Sequence, residues 1–403
     1  MTNQITATAI VVDKRDRKSW RPVRFGDIVR EVNKSERDPI ARGPSRSLGL
    51  EHLDPEVLRV SRWGSVADGT SFTRTFSAGQ VLFGKRRAYQ RKVAVPNFDG
   101  VCSGDILVLE PTSDELSGRL LPFVIQSEPF FRHALSTSAG SLSPRTKFSS
   151  LANFGFLLPP REIQDAIAEL LWSVETFMER LNDLVDSIQA LQRCIVIGEL
   201  RGRADAKLAS LAELLVKSPE SGHSAVPSPT PTGHFVLSLG ALSKNGYVSG
   251  NLKPVRRTGP VQATVLRSGD FLVSRSNTAE LVGLVGIFNE GRADVSFPDT
   301  IMRLHLDETR IDKEFLELVM LSPIGRLHMR RVCAGTSASM KKINRSTLGK
   351  LTFPCPDVTT QRSIVEKARS VDQHIQVVKN RTWSTHDLKL FLLRNVIVEV
   401  NGV

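Results

Sequence analysis

The sequence predicts an α+β protein in which two tandem mixed α/β domains are separated by two long antiparallel helices that form a coiled coil. The chain of 403 residues is similar to itself at a shift of 195 residues, each copy holds short runs of alternating apolar and polar residues, and each copy ends in a long segment with heptad spacing. We therefore divide the chain into a tail at 1–19, domains at 20–160 and 201–356, a central helix at 161–200 and a C-terminal helix at 357–403.

The internal repeat aligns residues of the same type along both halves. Under the shift of 195 residues the coinciding pairs are Ile106 with Ile301, Leu109 with Leu304, Val124 with Val319, Ser127 with Ser322, His133 with His328, Gly140 with Gly335 and Pro159 with Pro354. Two inserted residues in the second half bring Gln164 onto Gln361, where the long helical segment starts. This pattern predicts a tandem duplication.

Both repeats present their elements in the same order. Strand-like runs such as GQVLFGK and SGDILVLE come first, and one helix is then predicted over 116–135 in the first repeat and over 312–332 in the second. A polar loop follows, beginning at Gly140 or Gly335, and prolines mark the boundary before the long helix. The proline-rich segment 218–234 is predicted to be an extended loop.

The central helix carries the clearest periodic signal in the chain. Its apolar residues recur with alternating steps of four and three, which is typical of a coiled coil, at Ile163, Ile167, Leu170, Val174, Phe177, Leu181, Leu184, Ile188, Leu191 and Ile195. At about 1.5 Å per residue this seam is roughly 50 Å long, which exceeds one turn of B-DNA at about 34 Å.

The C-terminal helix begins with the same pattern and then changes phase. Its seam residues are Ile364, Ala368, Val371, Ile375 and Val378. Because each apolar stripe needs a partner, we expect the two helices to pair antiparallel and to hold the domains apart. The alternative is that each helix packs on its own domain.

The charge indicates a polyanionic partner. The 54 Lys and Arg exceed the 42 Asp and Glu, for a formal net charge of +12. Aromatic residues make up only 6% of the chain, which argues against a single-strand binder that stacks successive bases on aromatic side chains. Duplex DNA or structured RNA fits this composition better.

Basic residues cluster at matching places in the two repeats, beside glycine-containing loops. The candidate DNA-binding residues are Lys85, Arg86, Arg87, Tyr89, Arg91, Lys92, Arg145 and Lys147 in the first repeat, and Arg256, Arg257, Arg275, Arg330, Arg331, Lys341, Lys342 and Arg345 in the second. Such cations can neutralise phosphates, and arginine can also bind guanine in the major groove. The alternative is a solvated charged surface that binds nothing.

The sequence lacks the common signatures of enzymes. The sequence contains no GxGxxG after a strand, no GxxxxGK[ST], no HExxH and no GxSxG. Asp299 and Glu308 resemble a nuclease acid pair, but Arg310 stands where a lysine is wanted, so we interpret the acids as strand-end and turn residues. For His133 and His328 a packing or phosphate-contact role is favoured over that of a catalytic base.

Two further expectations concern the cysteines and the cellular compartment. Cys102, Cys194, Cys333 and Cys355 are too widely spaced for a zinc site and are predicted to be small buried residues. No metal site is predicted. The first residues do not have the charge order of a signal peptide, and no apolar run approaches the length of a membrane span, so a cytoplasmic protein is expected.

Taken together, these features resemble the DNA-specificity subunits of type I restriction-modification systems. The segments that carry the resemblance are WRPVRFGDIV at 20–29, the strand runs AGQVLFGK and SGDFLVSR, the loops AGSLSPRTKFSSL at 139–151 and AGTSASMKKINRSTL at 334–348, and the exits LLPPREIQDAIAELL and TFPCPDVTTQRSIVEKA.

The resemblance implies a non-catalytic subunit. Each target-recognition domain would read one half of a bipartite duplex site, and the helices would fix the gap between the halves. The helices would also dock two modification subunits, which methylate adenine with S-adenosylmethionine. A motor-nuclease subunit that uses ATP and Mg would join for cleavage. This chain itself would hold no cofactor.

Two other functions remain open at this stage. One is a self-contained enzyme that modifies or cleaves DNA, and the other is a scaffold of related architecture that binds proteins only. DNA turnover by the purified chain would distinguish the first, and the absence of salt-sensitive duplex binding would distinguish the second.

Overall fold

A computed structural model describes residues 14–141, 143–202, 207–230, 232–335 and 340–400. The chain forms two compact units. Unit 1 comprises Met1–Asn182 with Asn380–Val403, and unit 2 comprises Asp183–Lys379. Since this grouping divides both long helices between the units, the domain boundaries given above stay a prediction. Most of the predicted tail lies outside the described residues.

Unit 1 combines short strands with short helices. Its strands are β1 (Arg21–Arg24), β2 (Val29–Glu31), β3 (Arg46–Leu48), β4 (Gly64–Ser65), β5 (Arg74–Phe76), β6 (Val81–Gly84), β7 (Val93–Ala94), β8 (Gly100–Cys102), β9 (Ile106–Pro111) and β10 (Gly155–Leu158). Its α-helices are α1 (Phe25–Ile28), α2 (Pro39–Arg42), α3 (Leu121–Gln126), α4 (Glu128–Ser136), α5 (Phe148–Leu151) and the first part of α6 (Arg161–Arg201). Short 3-10 helices lie at Lys14–Ser19, Leu50–His52, Val66–Asp68 and Ala88–Gln90.

Unit 2 also combines short strands with short helices. Its strands are β11 (Leu208–Ser210), β12 (Leu215–Ser221), β13 (Phe235–Leu237), β14 (Leu242–Ser243), β15 (Gly246–Tyr247), β16 (Leu252–Pro254), β17 (Phe271–Ser274), β18 (Ser276–Asn277), β19 (Val285–Ile287), β20 (Val295–Ser296), β21 (Ile301–Leu306), β22 (Lys341–Lys342) and β23 (Thr352–Pro354). Its α-helices are α7 (Gly259–Ala263), α8 (Lys313–Leu321), α9 (Pro323–Val332), α10 (Arg345–Gly349) and α11 (Val358–Arg369), and α12 (Asp372–Val396) follows and ends in unit 1. Its 3-10 helices are Leu211–Leu214 and Leu239–Ala241.

The main sheet has the same topology in the two units. The antiparallel order β2-β9-β6-β7 in unit 1 corresponds to β12-β21-β17-β19 in unit 2. The parallel pair β3-β8 corresponds to β13-β20, and the antiparallel pair β1-β10 to β11-β23. Equivalent strands therefore follow one another in the same order in the two halves.

Buried polar residues at repeat positions support the same equivalence. Gln164 and Gln361 are fully buried, and the Nε2 of each donates to the carbonyl of the proline five residues earlier, over 2.9 Å and 2.7 Å. The Oε1 of Gln164 accepts from the Ser117 amide at 2.8 Å, and that of Gln361 accepts from the Asp312 amide at 2.7 Å. A buried amide with its hydrogen bonds satisfied holds the start of the long helix against its own unit.

The helices predicted over 116–135 and 312–332 are each two helices, which corrects the sequence prediction. Ser127 and Ser322 have extended backbones, and their side chains accept from the Phe130 and Ile324 amides. A proline follows each serine in the first turn of the next helix. A serine cap before a proline starts a new helix, because proline fits the first turn but cannot continue the preceding helix.

The C-terminal segment also differs from the single helix predicted over 357–403. It forms α11 and α12, and the chain after α12 pairs with β10, where the Val400 amide donates to the Gly155 carbonyl at 3.0 Å and the Leu157 amide to the Val398 carbonyl at 2.9 Å. The predicted loop at 218–234 is irregular from residue 222 within the described residues, but 218–221 belongs to β12.

Each unit contains its own contacts between the long helices. In unit 1 Ile167, Ala168 and Leu171 belong to one apolar cluster with Leu393 and Val396. In unit 2 the Nε2 of Gln192 donates to Asp372 at 3.0 Å, and Lys367 pairs with Glu199 at 2.7 Å. The residue numbers of the contacts increase along α6, from 192 to 199, while those of their partners decrease, from 372 to 367. This is the order that an antiparallel pair requires. A continuous coiled coil stays a prediction.

The burial of α6 is shifted from the predicted seam. Phe177, Leu184 and Leu191 are 41%, 45% and 53% exposed, whereas Glu175 and Gln189 are buried. In the C-terminal segment Ile364 and Ile375 are buried, and Val371 and Val378 are half-buried. Polar residues therefore occupy part of the buried face, which an apolar pattern cannot indicate.

An ion-pair network on the main sheet of unit 2 predicts acid sensitivity. Burial by itself raises the pKa of Glu220, but hydrogen bonds from Lys217, Arg303 and His305 outweigh it and lower the pKa to about 2. A lowered carboxyl pKa contributes stability above its ordinary value, and this contribution is lost as the pH falls through the folded-state value. We expect Glu220→Gln to lower the melting temperature at pH 7 and to differ less from the native chain near pH 2, as measured by circular dichroism. A difference that does not change with pH would contradict this assignment.

Candidate nucleic-acid interface

In unit 1 the structure joins two segments that are far apart in sequence. The loop after α4 is closed by paired hydrogen bonds between Ala139 and Arg145, each with an N–O distance of 2.9 Å. The Arg87 amide donates to the Pro144 carbonyl at 2.7 Å, and the Thr146 amide donates to the Lys85 carbonyl at 3.0 Å. The basic segment after β6 (residues 85–92) therefore lies against the basic loop after α4.

The loop geometry depends on a glycine. Gly140 has a φ of +112° and Gly335 in unit 2 has a φ of +144°, a backbone conformation that side chains disfavour. Each loop is closed by a pair of residues, Ala139 with Arg145 in unit 1 and Ala334 with Lys342 in unit 2. Each glycine directly follows the alanine of its pair. We name these the Gly140 loop (residues 139–147) and the Gly335 loop (residues 334–345).

One carboxylate organises the cations at the Gly140 loop. The Nε of Arg145 donates to Asp105 at 2.9 Å, and Arg86 approaches the same carboxylate at 3.4 Å. The hydrogen bond from Arg145 holds the pKa of Asp105 below its usual value. Ser143 Oγ accepts from Arg86 at 3.2 Å and from Arg87 at 3.3 Å. These contacts fix the directions of the guanidinium groups before any ligand arrives.

The remaining predicted residues of unit 1 divide into two groups. Tyr89, at 54% exposure, and Lys147 face solvent. Arg91 is within 2.8 Å of Glu56 and donates to Glu128 at 2.6 Å, while Lys92 donates to the Leu50 carbonyl at 2.6 Å. Burial lowers the pKa of Lys92. Arg91 and Lys92 are therefore already bound to groups of the protein. To contact DNA as predicted, each would have to give up these partners for a phosphate or a base.

The Gly335 loop assembles in the same way. The Ile343 amide donates to the Arg275 carbonyl at 3.0 Å, and β18 pairs with β22. Arg275 donates to the Asp299 carbonyl at 3.4 Å, and Lys341 to the Gly335 carbonyl at 2.6 Å. Arg345 reaches the Ser221 hydroxyl at 3.5 Å. The described part of this loop thus gathers Arg275, Lys341, Lys342 and Arg345; residues 336–339 lie outside the described residues.

Four predicted cations of unit 2 lie on other elements. Arg330 and Arg331 are exposed in the last turn of α9, shortly before Gly335. Arg256 and Arg257 are exposed after β16, on the three-stranded sheet β16-β13-β20. The candidate cations of unit 2 therefore lie on several different elements.

The cations of the two loops have few acidic partners. Elsewhere arginines are commonly paired, as in Arg30 with Glu110 at 2.6 Å and Arg292 with Asp294 at 2.7 Å. Among the residues that the structure describes, Asp105 is the one carboxylate that forms an ion pair with a cation of either loop or with Lys85, Arg86, Arg87 or Arg275. The loops therefore keep positive charge and N–H donors available for an anionic ligand.

Sequence reasoning missed Asp105 and Glu56, whose carboxylates orient the cations. Asp105 lies in the strand run SGDILVLE, but its role depends on Arg145, which is 40 residues away. No spacing rule identifies such a contact.

The other candidates have structural roles. The Nε2 of His133 lies 2.9 Å from the Ser150 carbonyl oxygen, and that of His328 lies 2.9 Å from the Thr347 carbonyl oxygen, so each histidine ties two helices together. Asp299 and Glu308 lie at opposite ends of β21, as the interpretation of strand-end and turn residues predicts. Cys102 is buried, but Cys194 is exposed, which corrects the expectation for that cysteine.

The described residues also bear on metal binding and on membrane insertion. No group of three or more His, Cys, Asp or Glu side chains there could hold a metal ion. None of the helices described is both long enough and apolar enough to cross a membrane.

Comparison with known proteins identifies relatives of one kind. No family model matches the chain. It is 23% identical over 195 residues to the EcoDI type I restriction enzyme specificity subunit of Escherichia coli, covering 47% of this chain and 43% of the relative. It is also 23% identical over 270 residues to the StySPI type I restriction enzyme specificity subunit of Salmonella potsdam, covering 62% of this chain and 58% of the relative. The predicted resemblance to type I specificity subunits is confirmed, and the matches span about half the length of these relatives.

Solved structures with similar chains carry related descriptions. One is the HsdS subunit from Thermoanaerobacter tengcongensis, with 17% identity, a TM-score of 0.37, and coverage of 94% of this chain and 96% of that chain. Another is the type I restriction-modification S subunit from M. genitalium, with 13% identity, a TM-score of 0.45, and coverage of 97% and 99%.

Proposed function

We propose that this protein is the DNA-specificity subunit of a type I restriction-modification complex and that it is not itself an enzyme. Each unit contributes one surface that reads half of a bipartite site in duplex DNA. The observation that carries this proposal is the occurrence, in both units, of a glycine loop whose cations are largely unmatched by carboxylates. The similarity to two specificity subunits supports the same assignment.

The loop chemistry suits duplex DNA. Lysine and arginine side chains near a glycine can approach phosphates closely, and each neutralised phosphate releases counterions. Arginines whose direction is already fixed, as for Arg86 and Arg145 on Asp105, lose less conformational freedom on binding and can donate two hydrogen bonds to a guanine. Two such surfaces in one chain reproduce the half-site logic of a dimeric DNA-binding protein.

In this proposal the long helices set the gap between the half-sites and dock the partner subunits. The exposed apolar residues of α6 and α12 would supply the docking surface: Phe177, Leu184, Leu191, Val377, Trp383, Leu388 and Phe391. Two modification subunits would bind there, bringing S-adenosylmethionine, and a motor-nuclease subunit would bring ATP and Mg. The complex would act in the cytoplasm, where its DNA is.

The test is a paired substitution at the Gly140 loop. We expect Lys85→Ala with Arg87→Ala to weaken duplex binding and to reduce the slope of log affinity against log salt by about 1.8, if each cation neutralises one phosphate. Fluorescence anisotropy over a salt series measures both quantities. The control is Arg30→Ala with Arg62→Ala, which makes the same change in net charge at residues paired with Glu110 and Asp54. An unchanged slope in the first variant, or an equal loss in the control, would contradict a phosphate contact at this loop.

A further inference from the structure

We propose that Glu56 is a positioning residue that couples the basic segment of unit 1 to the C-terminal helix α12. The inference rests on the proposed function, because it assumes that this segment meets DNA. It assigns to unit 1 a direct mechanical connection between the DNA-contacting surface and a helix of the partner-docking surface.

The backbone around Glu56 has unusual conformations. Among the described residues, the non-glycine residues with positive φ are Glu56 at +61°, Arg87 at +54° and Arg91 at +53°. Such conformations are unfavourable for residues with a side chain and persist only where surrounding contacts enforce them. All three lie in the basic segment or in contact with it, since the Glu56 amide donates to the Arg91 carbonyl at 3.1 Å.

The side chain of Glu56 joins two elements. One carboxylate oxygen is 2.8 Å from the Nε of Arg91, and the other is 3.3 Å from the Nε2 of His386 on α12. The Glu56 carbonyl accepts from the Nζ of Lys389 at 3.4 Å and from the Nε2 of Gln126 at 3.2 Å. Glu56 therefore holds the basic segment on one side and α12 on the other.

Both sides of this connection are tightly packed. Lys389 is 2% exposed and also pairs with Glu175, which is 4% exposed, on α6. Arg91 is held in addition by Glu128 and lies 4.6 Å from the ring centroid of Phe131. Because the contacts on both sides are packed, a shift of Arg91 toward a phosphate would remove one of the two partners of the Glu56 carboxylate and change its hold on His386.

The experiment measures hydrogen exchange by mass spectrometry on the full chain, with and without a mixed-sequence duplex of about 30 base pairs at about 50 mM salt, where non-specific binding is strong. In the native chain we expect the duplex to slow exchange in residues 85–92 and to change it in residues 383–396 about fivefold or more, the lower end of coupling between linked sites. In Glu56→Gln the effect on 85–92 should remain and the effect on 383–396 should be lost.

Two further variants make the outcome specific. Glu110→Gln removes a carboxylate of unit 1 that also has two partners, Arg30 and Gln80, and it should leave both effects unchanged. His386→Gln cuts the helix side while leaving Glu56 with Arg91, and it should reduce only the effect on 383–396; it serves as the test should Glu56→Gln fail to fold.

A duplex effect on 85–92 without one on 383–396 in the native chain would overturn the coupling and leave the proposed function standing. The same holds if Glu56→Gln and His386→Gln keep the helix effect. No effect at 85–92 in any variant would overturn both the coupling and the DNA contact at this segment.

Discussion

We expect Lys389→Met to lower the free energy of unfolding of unit 1 by about 3–5 kcal/mol, because it removes one partner of a buried ion pair. Lys389 and Glu175 are 2% and 4% exposed and pair with each other, so the substitution leaves the Glu175 carboxylate buried without its cation. Denaturant unfolding followed by circular dichroism measures the loss.

The matched control for this prediction is Lys367→Met in unit 2. Lys367 pairs with Glu199 at 2.7 Å, but the lysine side chain is 53% exposed, and an exposed pair contributes about 0–1 kcal/mol. The double variant Lys389→Met with Glu175→Leu should recover most of the loss, because well-packed apolar residues replace a buried pair at little cost. Equal losses in Lys389→Met and Lys367→Met would show that the buried pair has no special weight.

Removing one heptad from each long helix should shorten the gap in the recognised DNA site and leave the bases of each half unchanged. We choose residues 180–186 and 378–384, since a deletion of seven residues preserves the heptad phase. The contacts of Glu175 and Gln192 with the other helix indicate that these two segments lie opposite each other in an antiparallel pair. Seven residues at about 1.5 Å each are about 10 Å, which corresponds to about three base pairs at 3.4 Å.

The measurement is the sequence around methylated adenines in cells that carry the shortened protein with its modification partners. Deleting 180–186 alone mismatches the helix pair and should abolish methylation, which provides the control. Sites that keep their original gap after the matched deletion would contradict the spacer role of the helices.

The fold could be predicted from the sequence where the repeat aligned chemically distinctive residues. Gln164 and Gln361, Ser127 and Ser322, and the glycines of the two loops coincide in sequence and make equivalent hydrogen bonds or turns. The split of each predicted helix was missed because apolar periodicity continues through Ser127 and Ser322, although a serine followed by proline signals a new start.

The seam of the long helices could be predicted only in part. Its period is visible in the sequence, but Glu175 and Gln189 are buried on α6 whereas Leu184 and Leu191 are exposed. A polar residue becomes a suitable buried residue only when its partner is present, and the partner Lys389 is 214 residues from Glu175.

For the candidate interface, the sequence indicated the cations but not their surroundings. Lys85, Arg86 and Arg87 do meet the Gly140 loop, whereas Arg91 in the same run is held by Glu56 and Glu128. Whether a basic residue is available to a ligand depends on acids that the fold brings near it, and these are distant in sequence.

The central claim is that this chain specifies a bipartite DNA site, and mapping methylated adenines across the genome of the source organism, with the gene deleted and then restored, tests it most directly. We predict that deletion removes methylation from one set of sites, that these sites share two short sequences at a fixed gap, and that restoration returns them. A methylation map that does not change on deletion, or lost sites that share a single uninterrupted sequence, would contradict the account.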